Sequence, residues 1–448
     1  MIPVRALRDC LDGVIPGVVS TCAADGTPNV AYMSQGQYLD EGHLALSYQF
    51  FNRTHQNLLT NPRVILGLIH PQTAQQYRLH LVYERTETQG PVFESMKAKL
   101  AGIASHTGMT GVFRLLGSDI YRIEGAEVVP GSALPAPSPT VDPLLALRAC
   151  MERLPTSSDA ESLLDALLDG LQAHFAIEQA LVMMLDPRRD RLYTVASRGY
   201  ATSGVGSEIP VGEGVIGVAA RERAPIRISH VTSEYAYGLA MREGAERRGM
   251  GDLLETEIPF PGLASPGSQL AVPIPGTREP LGVLFVESAT EMRFTHADED
   301  ALVALAIQVG GLFRLFQAEL ELGEEAHPGA IRESRPDGPP LRVRHYAVND
   351  SVFLGDDYLI KGVAGNILWT LLQDHQALGR TQFSNRELRA DPRVRLPDQS
   401  DNLEARLVLL HRRLVERGAC VQLEKTGRGR FRLVVARPLD LEEVAPEP

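Results

Sequence analysis

Residues 402–435 read NLEARLVLLHRRLVERGACVQLEKTGRGRFRLVV. Leu403, Leu407, Leu410 and Leu414 recur at helical spacing, so a helix over 402–417 has one apolar face. Gly418 ends it, because glycine takes the left-handed backbone that follows a last turn, and Asp401 or Ser400 stands where an N-cap is needed. Val421–Lys425 and Arg430–Val435 then read as strands around the turn Thr426-Gly427-Arg428-Gly429, a hairpin. Away from the leucine stripe lie Arg406, Arg412, Arg413 and Arg417, with Asn402 at the N-terminus; Lys425, Arg428 and Arg430 sit on the hairpin. An exposed helix of that chemistry fits the major groove, where arginine bonds guanine edges and asparagine adenine. Hairpin cations suit phosphates or a minor groove. A solvated charged face is the plain alternative.

Immediately upstream, Gly362–His375 carries Val363, Ile367, Leu368, Leu371 and Leu372 as an amphipathic helix. Ser384-Asn-Arg-Glu387 has the spacing of a capping box opening a second, short helix. Val352–Leu354 and Tyr358–Leu359 flank Gly355-Asp-Asp as a small leading hairpin. Three helices closed by a Gly-tipped hairpin resemble the winged-helix effector domain of response-regulator transcription factors, over nearly all of 341–440. The resemblance implies double-stranded DNA as a partner. Leu341–Arg437 holds 17 Lys/Arg against 11 Asp/Glu, whereas the rest of the chain holds 27 against 45. A basic end on an acidic body suits that reading.

Residues 141–175 read as amphipathic helix, with Leu163, Leu164, Leu167, Leu168 and Leu171 on one face. Ala180–Asp186 and Arg191–Ser197 read as strands, as do Leu270–Ile274 and Leu281–Glu287; a long helix over 297–317 opens with Asp298, Glu299 and Asp300. The run GEGVIG at 212–217, the strand pair AVPI…LGVLFVES and the start FTHADEDALVALA resemble a GAF domain over 141–322. Gly212, Gly214 and Gly217 mimic a dinucleotide loop, but the neighbouring signals of that fold are missing. GAF domains are small-molecule pockets or dimerising spacers, so the resemblance implies a ligand without naming it. No cysteine lies between Cys150 and Cys420, which removes covalent bilin attachment and a thiolate ligand for iron. His174, His230 and His296 sit at element ends and read as structural, so no metal site is expected. The segment 234–257, with Tyr235, Tyr237, Met241 and Met250, reads equally as a lid or as a surface helix.

Residues 14–132 are mostly β, beginning with a hairpin whose turn is Asp25-Gly26. His43–Tyr48 and Val64–His70 are further strands, Arg53–Thr60 a short helix, Pro91–Gly102 another, and Asp119–Val129 a last strand. A guanidinium, a hydroxyl and helix N–H groups at Arg53-Thr54 make a grip for phosphate, whereas the plain reading has Thr54 capping the helix and Arg53 solvated. The run Gly26-Thr-Pro-Asn-Val30, then Ser47, Arg53-Thr54, Asn57 and Asn61-Pro62, resembles the pyridoxamine 5′-phosphate oxidase-like split β-barrel family over 1–132. That family binds FMN at a dimer interface. By position, Arg53 and Thr54 would hold its phosphate, Ser47, Gln49 and Asn57 would support it, and Tyr32, Met33 and Ser34 would flank the ring. Other members of the fold bind haem or a deazaflavin. The Arg-x-His element of true pyridoxamine phosphate oxidases is missing after Tyr121-Arg-Ile-Glu-Gly, which argues against that activity.

The 448 residues suit about three domains at roughly 150 each. Pro-, Ser- and Gly-rich stretches at 130–143 and 323–340 read as linkers. Cys10, Cys22, Cys150 and Cys420 form no metal or disulfide pattern, and no apolar secretion core opens the chain. No stretch approaches the roughly 18–20 uncharged apolar residues of a membrane span. The whole reads as a multidomain α+β, cytoplasmic homodimer. It is expected to be a one-component transcriptional regulator in which barrel and GAF domain control a winged helix, with ligand-driven movement of Leu302–Leu320 altering the spacing of two such domains. A flavin-dependent oxidoreductase with regulatory domains is the alternative; no nucleophile–base constellation is visible, and a flavin needs none.

Overall fold

The computed structural model describes residues 2–33, 35–49, 53–106, 114–137, 141–230, 258–322, 338–394, 396 and 402–444. The segment 234–257 and most of the 323–340 stretch lie outside these described residues.

In the N-terminal part, α1 (Arg8–Leu11) precedes β1 (Gly17–Cys22) and β2 (Pro28–Met33), which pair antiparallel from Gly17↔Met33 to Cys22↔Pro28. Gly26 takes φ +87 in their turn, the backbone that Asp-Gly favours. Then follow β3 (Gly36–Asp40), β4 (His43–Tyr48), α2 (Arg53–Thr60), β5 (Arg63–Ile69), β6 (Gln76–Glu87), α3 (Pro91–His106) and β7 (Gly117–Val128). The strands make one seven-stranded antiparallel sheet, in the order β2-β1-β5-β6-β7-β4-β3. Leu44, Leu66, Leu79 and Tyr121 fill its core, and Leu7 and Leu11 join them from the N-terminal turns. The sequence reading passed over β6. Arg78 and His80 alternate outward against Leu79 and Leu81, but the pattern runs without a turn signal and is irregular at His80/Leu81 and Tyr83/Arg85.

The middle part opens with two helices rather than one continuous helix. They are α4 (Pro143–Arg153) and α5 (Ala160–Phe175), parted at Leu154-Pro155 and restarted by the Asp159 cap. After β8 (Gln179–Asp186), β9 (Arg191–Arg198) and β10 (Glu208–Pro210) come α6 (Gly214–Glu222), β11 (Ile226–Ile228), β12 (Ser268–Ile274), β13 (Gly282–Ser288) and the long α7 (His296–Leu322). The six strands order as β10-β9-β8-β13-β12-β11. Leu164, Leu168, Val182, Leu284 and Leu305 pack between one sheet face and α4, α5 and α7; the other face carries α6. The glycine run is a tight turn. Gly212 has φ +89 and its N–H donates to Gly217 O at 2.8 Å, while a Cβ on Gly217 would meet Pro210 O at 2.4 Å. Residues 296–318 are, by length and composition, one stretch apolar enough to span a bilayer, against expectation; half of that window is buried, with Leu302 and Val309 against the sheet.

In the C-terminal part, β14 (Leu341–Tyr346), β15 (Ser351–Leu354) and β16 (Asp357–Ile360) form a sheet that the final strand β20 (Leu439–Val444) joins parallel to β14. Between them lie α8 (Gly362–Leu378), β17 (Gln382–Ser384), α9 (Asn385–Ala390), α10 (Leu403–Glu416) and the hairpin of β18 (Val421–Gly427) with β19 (Arg430–Val435), on whose edge β17 pairs. Ser384 and Glu387 form both bonds of the capping box. The cap of α10 is Asn402 itself, whose Oδ1 accepts from Ala405 N at 3.1 Å, in place of Ser400 or Asp401.

The three parts touch. Helix α3 lies on α6 and β11, where Gly102 has no Cβ and Ile226 fills the space. Arg227 of β11, 6% exposed in its side chain, pairs with Asp12 at 2.8 Å and Glu299 at 2.9 Å. On the far side, one apolar cluster runs continuously from the middle sheet into the C-terminal helices.

Candidate functional site

The first candidate lies in the N-terminal sheet, where Tyr32, Met33, Ser47, Tyr48, Thr54, His55, Asp119 and Tyr121 line one pocket with Val19, Ala31 and Leu46. Strand β2 supplies Tyr32 and Met33, β4 Ser47 and Tyr48, and the first turn of α2 Thr54 and His55. Four expected cofactor residues are thus brought together: Tyr32, Met33, Ser47 and Thr54. Arg53 is exposed beside Thr54, and Gln49 Nε2 lies 3.5 Å from Ser47 Oγ at the rim. Ser34 lies outside the described residues. Asn57 does not line the pocket; it is buried, and its Nδ2 donates to Thr21 Oγ1 at 3.1 Å, fastening α2 to β1. Asn29 Nδ2 reaches Thr54 Oγ1 at 2.9 Å, so the hydroxyl is held in place.

Sequence reasoning missed the pocket floor. His55 stacks on Tyr48 with centroids 4.2 Å apart, and its Nδ1 lies 3.5 Å from Asp119 Oδ2. Asp119 also accepts from Thr86 Oγ1 at 2.6 Å, and that hydroxyl meets Tyr83 OH at 2.8 Å. Burial pushes the Asp119 carboxyl above its ordinary range, against the Thr86 bond and the neighbouring imidazole. An aspartate inside the strand Gly117-Ser-Asp-Ile-Tyr121 is the available signal, since strands rarely carry aspartate.

The second candidate is on the α6 face of the middle sheet. Glu287 is 2% exposed and accepts from Leu263 N at 2.9 Å and Gln269 Nε2 at 3.1 Å, with the Tyr200 hydroxyl buried beside it. Burial pushes its carboxyl up, against the bonds it accepts. Gln269 Oε1 is buried with no hydrogen-bond partner among the described residues. A buried carboxylate and an amide oxygen side by side suit a ligand that donates hydrogen bonds. Of the histidines, His174 is exposed and His230 pairs with Glu291 at 3.1 Å. His296, Asp9 and Asp12 stand close enough to share a metal ion, yet the Arg227 guanidinium is bonded to both His296 and Asp12, supplying the positive charge there.

The third candidate is α10 with its hairpin, and here the expected outward face is corrected. Arg406 and Arg413 are only 4% and 3% exposed. Arg406 pairs with Asp186 Oδ2 at 3.0 Å, its guanidinium 4.0 Å over the Tyr193 ring. Arg413 donates to Leu359 O at 3.1 Å and pairs with Glu416 at 2.8 Å. Arg412 reaches Asp165 at 3.0 Å, and Lys425 reaches Asp159 and Glu161, both at 3.0 Å. Asn402 is buried as the helix cap. Arg417 and Arg428 are exposed and Arg430 half-buried. The physical reason is a second apolar and charged stripe on α10, including Leu409, which faces the middle domain.

The pyridoxamine 5′-phosphate oxidase family model matches residues 4–115 and the GAF domain model residues 157–313. The chain carries a pyridoxamine 5′-phosphate oxidase-like N-terminal domain and a GAF domain. Similar solved structures include the GAF domain of an Acinetobacter phosphoenolpyruvate-protein phosphotransferase, 20% identical, covering 39% of this chain and 95% of that one, TM-score 0.30. An FMN-binding protein from Syntrophomonas wolfei is 13% identical over 29% of this chain and 89% of its own, TM-score 0.24. Free methionine-R-sulfoxide reductase from Neisseria meningitidis, in complex with its substrate, is 19% identical over 40% and 93%, TM-score 0.30. No curated protein matches the chain.

Proposed function

We propose that this protein is a ligand-responsive DNA-binding regulator: the N-terminal barrel and GAF domain sense, and a C-terminal winged helix over 341–440 binds double-stranded DNA. The observation that carries the reading is the set of direct bonds between α10 and its hairpin and the GAF domain, Arg406–Asp186, Arg412–Asp165 and Lys425–Glu161. They place a basic helix of three-helix-and-hairpin order in the grip of a domain whose fold commonly holds small molecules. In this reading Arg417, Arg428 and Arg430 add phosphate contacts from the exposed rim. The barrel takes FMN, its phosphate at Arg53, Thr54 and Ser47 with Gln49 at the rim, its ring along Tyr32–Ser34. Those residues fit the group: a cation and a hydroxyl stand at the start of a helix, with the Ser47 hydroxyl on β4, beside an aromatic ring 83% exposed on β2. Exposed Val30, Tyr32 and Ile65 on the same sheet suit a second copy completing the site.

The test is binding of the full-length protein to duplex fragments from upstream of its own coding sequence. Binding is expected to fall with salt, by a slope of about −0.9 per phosphate contact. No binding at low salt, with or without FMN, overturns the reading. The buried Asp119 beside His55 favours the oxidoreductase alternative, because the pair stands ready to move a proton next to a flavin. Turnover of NAD(P)H by a yellow protein that ignores DNA decides for it.

A further inference from the structure

The contacts that bring α10 to the GAF domain use the same cations that duplex DNA would need. Glu161 and Asp165 stand one turn apart on α5, and Asp159 caps that helix with one carboxylate oxygen, on Ser162 N at 2.8 Å, while the other meets Lys425. Asp186 likewise divides its oxygens: Oδ1 accepts from the backbone of Arg188 and Arg189, and Oδ2 takes Arg406. The result is an ordered array of negative oxygens, each bound to a guanidinium or ammonium of α10 or β18. Phosphates along a DNA groove offer the same chemistry.

We infer that this acidic face of the GAF domain is a built-in competitor for DNA: it holds the reading helix closed, and docking and DNA binding exclude one another. The inference rests on the winged helix being a DNA reader. Energetics fit a releasable lock. Arg412–Asp165 and Lys425–Glu161 keep partial solvent access, so each contributes little and is screened by salt. Arg406–Asp186 is buried at both ends, 5% exposed each, and sets the register of docking rather than its strength. Leu409 over Gly206 adds apolar contact that no DNA groove rewards.

The experiment uses full-length protein and a labelled duplex of random sequence, comparing wild type with Glu161→Lys/Asp165→Lys, and follows amide exchange in 403–416 on both. These two positions lie on an accessible helix face, and thermal unfolding checks that the variant folds. The expected result is faster exchange in α10 and DNA affinity raised at least about tenfold in the variant. If exchange rises and both proteins bind equally well, the DNA reading survives and the competitor is overturned. If exchange rises and neither binds, the DNA reading itself fails. Unchanged exchange with unchanged affinity also overturns the lock, because charge then does not hold it. As a second arm, Arg406→Met keeps the bulk but removes the pair with Asp186; it is expected to speed exchange in 403–416, and unchanged exchange overturns the part of this pair in the lock.

Discussion

Asp12 shows how a single carboxyl ties two domains. Burial alone would raise its pKa, yet the His296 bond and the Arg227 charge win and hold it at about 2, against an ordinary 3.8. A depressed acid contributes stability that is fully present above its unfolded value and is lost as pH falls through the folded one. The contribution at neutral pH is about 2 kcal/mol, and it disappears between pH 3.8 and about 2. Asp12→Asn is therefore expected to lower the unfolding free energy by that amount at pH 7, read from a lower urea midpoint, with the gap to wild type closing as pH drops through this window. A gap that stays constant with pH would mean that Asp12 acts by shape and not by charge. Glu287 has the opposite sign: its raised carboxyl is a cost that grows as pH rises through its ordinary range.

Elements were legible where local chemistry decides them. Ser384-x-x-Glu387 announced α9, and both capping bonds are present. Ser384→Ala is expected to lower stability by about 1 kcal/mol, read as a shifted midpoint in urea unfolding, whereas Ser384→Asp should retain most of it. The leucine runs of α5 and α10 were legible for the same reason: each stripe meets a partner in its own fold. What escaped depended on distant partners. Strands β14 and β20 pair across nearly 100 residues of chain, and β20 reads LDLEEV, more charged than strands usually are. Arg406 and Arg413 looked like solvent-facing residues, because the face that covers Arg406 arrives from Asp186 and Tyr193, over 200 positions earlier. In the barrel, Thr54 and Ser47 were legible from a resemblance, but His55 and Asp119 meet only through the pairing of β4 with β7.

At the scale of the molecule, the GAF domain is the hub, with the barrel's α3 on one side and α10 on the other. A single loop, residues 199–207, touches both the buried Glu287 cluster and the docked helix. Tyr200 stands beside Glu287; Ser203 Oγ donates to Glu416 at 2.8 Å; Gly206 lies under Leu409 and Arg413. The loop is braced by Ser197 Oγ on Ser203 O at 2.7 Å and by Thr194 against Ser207 at 2.8 Å, so a displacement at one end is not absorbed locally. Spatial intermediacy is not coupling, and only a cycle of variants measures it. Tyr200→Phe removes the hydroxyl and keeps the ring. It is expected to raise the DNA affinity of the wild-type chain by about threefold, roughly 0.6 kcal/mol, by loosening the closed form. In the Glu161→Lys/Asp165→Lys background, where docking is already lost, the same change should do nothing. Equal effects in both backgrounds would place Tyr200 outside the path between pocket and helix, and the ligand signal would then have to run through α7 or the barrel.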